Sequence, residues 1–365
     1  MTGLPAFDPN VLFGATPRNP ADDLIKSYLK HAQTQITKQQ QVMASRYDSE
    51  MVGYRDEILK WTPVSESISQ ARTKVDSAVS KITTMEKTVT SMINKLSSAM
   101  MSSTTDWKAV SQQLDTLRTT LNSSGNTSNA SDLVGSVRRA DTYTGNSLTY
   151  MSGPNKQQTT IQGTYLGTDY DIRLTDSTFF RSTGAQSMQR YTAYPQGKVG
   201  HSESVASGAI SLAQPYDANN LTFTTGANVN VSGQTTYTGG VLQKHGLGIL
   251  HSWLYDGLTT PEGRQRAMDD LKTAQDKMNI QYVSLTTQQT FMDLQAKTAK
   301  DATETAKAKI QDVQSRAQTE LQTYVTNAQR EAQVNAEAAA AGYNNPVVKL
   351  LRTGGKIGAL FDLMS

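Results

Sequence analysis

The strongest constraint on the fold of this chain is a seven-residue repeat of apolar side chains near its N-terminal end. One row of the repeat consists of Ile68, Val75, Ile82, Val89 and Leu96. A second row, three positions later, consists of Ala71, Ala78, Met85, Met92 and Ala99. A strict seven-residue repeat keeps one apolar stripe of a helix facing a partner helix. The repeat therefore predicts a coiled coil, and we expect the partner helix in the same chain.

A second block with the same period lies in the C-terminal part of the sequence. Its row consists of Leu271, Met278, Leu285, Met292 and Ala299. Beyond Ala299 the apolar positions continue in a shifted phase, from Ile310 to Ala328. An unbroken helix over residues 264–341 would be about 120 Å long at 1.5 Å per residue. We therefore expect stacked helical segments, with a hinge or break near residue 300.

Local signals predict where these helices begin and end. Asn19 and Pro20 form a cap and first turn, so the first helix should begin near residue 20. Proline disrupts a helix interior, and we expect a bend or stop between Gly53 and Pro63. The run from Thr259 to Glu262 predicts the start of the second block. Gly342 is its expected end.

The middle of the chain has a different composition. Residues 64–124 and 264–341 contain neither Gly nor Pro, whereas 125–260 carries most of the 25 glycines and several Thr- and Tyr-rich runs. Such runs, bounded by Gly or Asn, predict short β-strands. The predicted fold class is α+β: an elongated antiparallel coiled-coil rod built from both chain ends, with a β-rich insert domain between them.

This pattern divides the chain into six parts. They are an N-terminal arm (1–19), an inner N-terminal helix and connector (20–62), outer N-terminal helices (63–124), a β-rich solvent-facing domain (125–260), a returning outer helix (261–300), and an inner C-terminal helix with an apolar tail (301–365).

Composition excludes several classes of function. The absence of cysteine excludes disulfides, thiolate metal sites and a cysteine nucleophile. With 35 Lys and Arg against 32 Asp and Glu, the chain has no basic stripe, which argues against nucleic acid as a partner. No run is long and apolar enough for a membrane span, and the N-terminus lacks the charged and apolar regions of a cleaved signal peptide. If the chain is secreted, we expect export without a cleaved signal peptide.

The candidate chemical motifs each have a plain structural interpretation. The four histidines lack metal-site spacing, and the Gly246-Leu247-Gly248 run lacks the remaining residues of a phosphate loop. Asp169-Tyr170-Asp171 is typical of a solvated strand face, with a surface ion site as the weaker alternative. The Trp253-Leu254-Tyr255 run favours packing between insert and rod over ligand binding. We expect no catalytic residues, cofactor or metal, and therefore no enzyme.

A dense apolar run closes the sequence. Val347, Val348, Leu350 and Leu351 follow Pro346, and five further large apolar residues lie between 357 and 364. An exposed segment of this kind needs a partner surface. We predict that it acts in assembly; docking on the same chain is the alternative.

The layout of helical ends around a β-rich insert resembles bacterial flagellin and its hook-associated junction relatives. Two segments support the resemblance: the run from Tyr282 to Phe291, with its leucine followed by glutamines, and the run from Asn345 to Arg352, similar to the family's C-terminal sequence. The residues expected to pack or assemble are Ile68, Val75, Ile82, Val89, Leu96, Leu271, Met278, Leu285, Met292, Val347, Val348, Leu350 and Leu351.

The resemblance implies a secreted structural subunit that polymerises with copies of itself into an extracellular helical filament for motility. It also implies a cap, a junction protein and an export chaperone as further partners. The alternative is a tip or translocon-type protein of a type III injection apparatus, or a phage structural protein.

Overall fold

The computed structural model describes residues 20–126, 132–135, 143–176, 178–191, 203–205, 210–226 and 233–344. Its two ends are helical and its middle is rich in β-strands, so the predicted α+β class is confirmed. Helix α1 spans Pro20–Met101, α2 spans Trp107–Gly125 and α3 spans Pro261–Asn344. A short 3₁₀ segment, Ser252–Leu258, precedes α3.

Neither helix stops at the two predicted interruptions. Helix α1 continues through Gly53 and Pro63, and α3 continues through residue 300 and past Gly342. A proline inside a helix costs about 3 kcal/mol or more. Val64 and Ile68, which follow it, are each only 2% exposed. Burying a large aliphatic side chain contributes about 1.5–3 kcal/mol, so the packing after Pro63 is enough to offset its cost.

The chain divides into two compact units. Unit 1 comprises Met1–Lys60 and Asp301–Ser365, and unit 2 comprises Trp61–Lys300. The division at residue 300 coincides with the change of phase in the apolar pattern, although the helix itself does not break there. In unit 1, Val313 of α3 is buried in one cluster with Met43, Tyr47 and Met51 of α1.

Nine strands are present in the described residues. They are β1 Ser147–Gly153, β2 Gln157–Gln162, β3 Tyr170–Arg173, β4 Phe179–Gly184, β5 Ser187–Tyr191, β6 Glu203–Val205, β7 Ser211–Leu212, β8 Leu221–Thr225 and β9 Thr235–Lys244. Strands β1 and β2 form a hairpin. The other seven form an antiparallel sheet in the order β6-β5-β4-β3-β9-β8-β7.

Strand β9 joins the two halves of this sheet. Its first part, up to Gly240, pairs with β8, and its last four residues pair with β3. At the change of partner, a Cβ on Gly240 would lie 2.7 Å from Cγ2 of Ile172. Glycine at this position therefore permits the close approach of β9 to β3.

Unit 2 has one continuous apolar core. It contains the two rows of α1 except Ala99, the row of α3 and sheet residues such as Phe180 and Phe223. The predicted packing of Trp253-Leu254-Tyr255 is confirmed, because all three residues are buried in this core. The sheet and the helices of unit 2 thus depend on the same core.

Candidate functional site

The structure buries the repeat residues inside unit 2. Ile68, Val75, Ile82, Val89 and Leu96 on α1, and Leu271, Met278, Leu285 and Met292 on α3, are all at most 2% exposed. Their side chains are therefore used for packing within the chain. Val347, Val348, Leu350 and Leu351 lie outside the described residues.

A second apolar stripe lies on the surface of α3. Ile280, Val283, Phe291 and Leu294 are 71%, 54%, 54% and 63% exposed, respectively. We call these four residues the outer stripe. Monomeric proteins commonly expose single apolar side chains, whereas several large ones on one face of a helix are typical of an interaction surface.

Helical geometry places the outer stripe opposite the buried row. At 3.6 residues per turn, the four residues fall within about 80° of the helix circumference and along about 21 Å of its length. Leu285 and Met292 of the buried row lie on the other side of α3 and are 0% exposed. Helix α3 is therefore apolar on two faces between residues 280 and 294, of which the packing of unit 2 uses only one.

Sequence reasoning missed the outer stripe. The spacings of 3, 8 and 3 residues between its members do not form a row of the seven-residue repeat. The segment from Tyr282 to Phe291 contains Val283 and Phe291, but the sequence analysis used this segment only for its resemblance to flagellin. A test for a second apolar face on the helical projection would have found the stripe.

The main polar cluster of unit 2 is buried beneath the sheet. Arg118 of α2 is 3% exposed, and its Nε donates to the carbonyl oxygen of Ile249 at 3.1 Å. Its Nη2 donates to the carbonyl oxygen of Thr168, and its Nη1 lies 2.6 Å from Nε2 of His251. A guanidinium can only donate, so Nε2 of His251 accepts and Nδ1 carries the ring proton.

His251 completes this cluster. Its Nδ1 lies 3.0 Å from the hydroxyl of Tyr170 and 3.1 Å from that of Ser182. Burial, reinforced by the positive charge of Arg118, lowers the pKa of His251 well below 6.5. Burial likewise lowers the pKa of Arg118. These groups are buried and hydrogen-bonded to one another, an arrangement that stabilises a core.

The expectation of a solvated face at Asp169-Tyr170-Asp171 is wrong. These residues are 4%, 0% and 0% exposed. Asp171 accepts from Nε of Arg181 at 2.9 Å and lies 3.1 Å from Nε2 of His245. Burial favours a raised pKa, but these hydrogen bonds outweigh it and hold the pKa of Asp171 below its usual value. The charge is thus compensated by buried partners, which an alternating sequence pattern does not reveal.

Asp169 is compensated by amides of the neighbouring helix end. Nδ2 of Asn122 and Nδ2 of Asn126 each donate to its carboxylate at 3.0 Å. The weaker alternative of a surface ion site also fails, because both aspartates are buried. Across the described residues, no group of three or more His, Asp or Glu side chains is arranged to hold a metal ion.

A cleft of about 890 Å³ in unit 2 lies between α2 and the 3₁₀ segment. Two of its acidic residues are already engaged. Asp115 accepts from the backbone nitrogen of Ser252 at 2.8 Å, and Asp256 forms an ion pair with Arg266 at 2.8 Å. Burial raises the pKa of Asp115, against the hydrogen bonds from Ser252. The two carboxylates of the cleft are thus already held by other groups.

Comparison with known proteins gives no family for this chain. No protein-family profile matches the sequence, and the search of curated proteins finds no match. None of the helices in the described residues combines the length and the hydropathy that crossing a membrane requires.

Proposed function

We propose that this protein is a structural subunit that polymerises with copies of itself into an extracellular helical filament, as a divergent relative of bacterial flagellin. The observation that carries the proposal is the outer stripe, an apolar face left over on a helix whose opposite face is already buried. A second copy of the chain is its expected occupant. Contacts of this kind, between different surfaces of identical subunits, generate open helical polymers.

The finer fold in this proposal is an antiparallel coiled-coil rod. Three polar pairs between α1 and α3 support it: Arg72 with Asp293, Asp76 with Gln289 and Thr90 with Gln275. The residue number on α1 rises by the same amount as the number on α3 falls. That constant register is typical of two antiparallel helices joined along one seam.

Secretion without a cleaved signal peptide, a capping or junction protein and an export chaperone belong to the same proposal. They follow from the resemblance in the segments Tyr282–Phe291 and Asn345–Arg352. In this function the protein is not an enzyme. The alternative, a tip or translocon-type protein of an injection apparatus or a phage structural protein, uses the same helical surface to form a closed ring or a discrete particle.

The test compares polymerisation of the unaltered chain with that of Phe291→Asp. Light scattering and negative-stain microscopy should show long uniform filaments for the unaltered chain. A charge in the outer stripe should abolish them or raise the critical concentration at least tenfold, because the aspartate would be desolvated without a partner. Thr290→Asp adds the same charge at the neighbouring exposed position and is the control.

Three outcomes would count against the proposal. Filaments that form equally well with Phe291→Asp would show that the outer stripe does not lie in the contacts between subunits. Closed rings from the unaltered chain would favour the alternative function. A chain that stays monomeric from micromolar to millimolar concentration would contradict self-assembly.

A further inference from the structure

Unit 1 contains an apolar groove between its two helices. The groove has a volume of about 500 Å³. Ile25, Leu29 and Ile36 of α1 form one wall, and Ala332, Ala336 and Ala340 of α3 form the other. The groove exists because alanines at every fourth position of α3 are too small to fill the space beside the larger side chains of α1.

A polar atom in the groove also lacks a partner. Gln33 is one of the lining residues, and its Oε1 is buried without a hydrogen bond from any described residue. A buried acceptor left unpaired is unfavourable, because it has lost its hydrogen bonds to water. The groove therefore calls for an occupant that brings both apolar side chains and a hydrogen-bond donor.

The sequence provides such a segment beside the groove. The described part of α3 ends at Asn344, four residues after Ala340, and 21 residues follow it in the chain. The Asn345-Pro346 pair favours a turn at this point. The run from Val347 to Leu351 then places four apolar residues within five positions.

We propose that the segment 345–365 folds back and occupies the groove of its own chain, with the run from Val347 to Leu351 against the alanine wall. This is the alternative that the sequence left open beside a role in assembly. The groove wall from Ala332 to Ala340 is about 12 Å long, whereas 21 residues span about 30 Å even as a helix. The segment is therefore long enough to extend along the whole groove wall. A short tether also gives an effective concentration of the order of millimolar, which favours the same chain over a second copy.

Charge supports this occupant. Lys349 and Arg352 lie within and just beyond the apolar run, and Glu337 lines the groove. The negative end of the α3 dipole also favours cations near Asn344. Residues 1–19, the segment that precedes α1, have a shorter apolar run, Val11-Leu12-Phe13, and their only basic residue is Arg18, which lies five positions away from that run. The inference concerns the single subunit and does not depend on whether the protein polymerises.

The absence of cysteine from the chain makes a disulfide test free of background. The full-length protein carrying Ala336→Cys and Leu351→Cys is oxidised under mild conditions and followed on non-reducing gels and by mass spectrometry. We expect an intramolecular disulfide that forms at least tenfold faster than in the control pair Ala338→Cys and Leu351→Cys. Ala338 lies on the same helix but is exposed.

Other results would overturn the proposal. Equal rates in the two pairs would mean that the segment does not occupy the groove. Disulfide-linked dimers as the main product would assign the groove to a second copy, and faster bonding in Phe13→Cys with Ala336→Cys would assign it to residues 1–19. In the unaltered chain, trypsin should cut after Lys349 and Arg352 more slowly than after Arg18, and the reverse order would also contradict the proposal.

Discussion

At the scale of single residues, unit 2 places several charged and titratable groups in its interior and holds them with fixed partners. Arg118 donates to two carbonyl oxygens and to His251, and Asp171 accepts from Arg181. Breaking a buried pair of this kind is costly, because the remaining group keeps its desolvation penalty without its partner. The cluster therefore couples the stability of unit 2 to pH.

His251 determines the sign of one such dependence. The folded protein keeps this ring neutral because its pKa is well below 6.5, whereas the unfolded chain protonates it near the ordinary value. The unfolded state therefore binds more protons below pH 6.5. By linkage, the free energy of unfolding falls there by up to about 1.4 kcal/mol per pH unit for this group.

We expect His251→Gln to remove this pH dependence. Glutamine retains an acceptor for Arg118 but cannot titrate. The variant should be less stable than the unaltered protein at pH 7, and the difference should shrink by roughly 1 kcal/mol at pH 5.5. Denaturant unfolding at the two pH values measures it. The exposed His31→Gln serves as the control, and a difference independent of pH would contradict the assignment.

At the scale of secondary structure elements, the apolar row of α1 from Ile68 to Leu96 is a long series of buried side chains. Ile82 lies at its centre and is 0% exposed. Further buried members of the same row lie one heptad before it and one heptad after it. A destabilising substitution at Ile82 should therefore also disturb the packing of the adjacent helical turns.

Ile82→Asp should lower the stability of unit 2 by several kcal/mol, because it buries a charge without a partner. For a unit of this size, each kcal/mol lowers the melting temperature by about 2–4 °C. Circular dichroism melting measures the change. Thr84→Asp adds the same charge on the exposed side of α1 and should leave the melting temperature nearly unchanged. Equal melting temperatures for the two variants would contradict the burial of Ile82 in the core.

The success of sequence reasoning differed between elements for physical reasons. The helix and the buried row from Ile68 to Leu96 could be predicted, and so could the β-rich middle, because periodicity and composition are local properties of the sequence. The continuity of α1 through Pro63 was not, because it depends on packing energy gained further along the helix. The burial of Asp171 depends on partners distant in sequence, and the outer stripe depends on which face of α3 the core uses.

At the scale of the whole molecule, the two compact units have cores of very different size. Among the described residues, unit 1 has four apolar side chains in its buried cluster, against 40 in unit 2. Unit 1 also contains the groove that its described helices leave open. Burial is the main favourable term in folding, so the two units should differ greatly in local stability.

We therefore expect unit 1 to unfold locally at a lower free energy than unit 2. In hydrogen exchange followed by mass spectrometry, amides of residues 36–54 and 306–340 should exchange at least tenfold faster than those of 64–99 and 267–299. All four segments are helical, so the comparison separates packing from secondary structure. In mild denaturant, the two pairs of segments should converge only when unit 2 itself unfolds. Equal protection at every denaturant concentration would show a single cooperative unit, in which the small cluster around Met43 and Val313 does not limit stability.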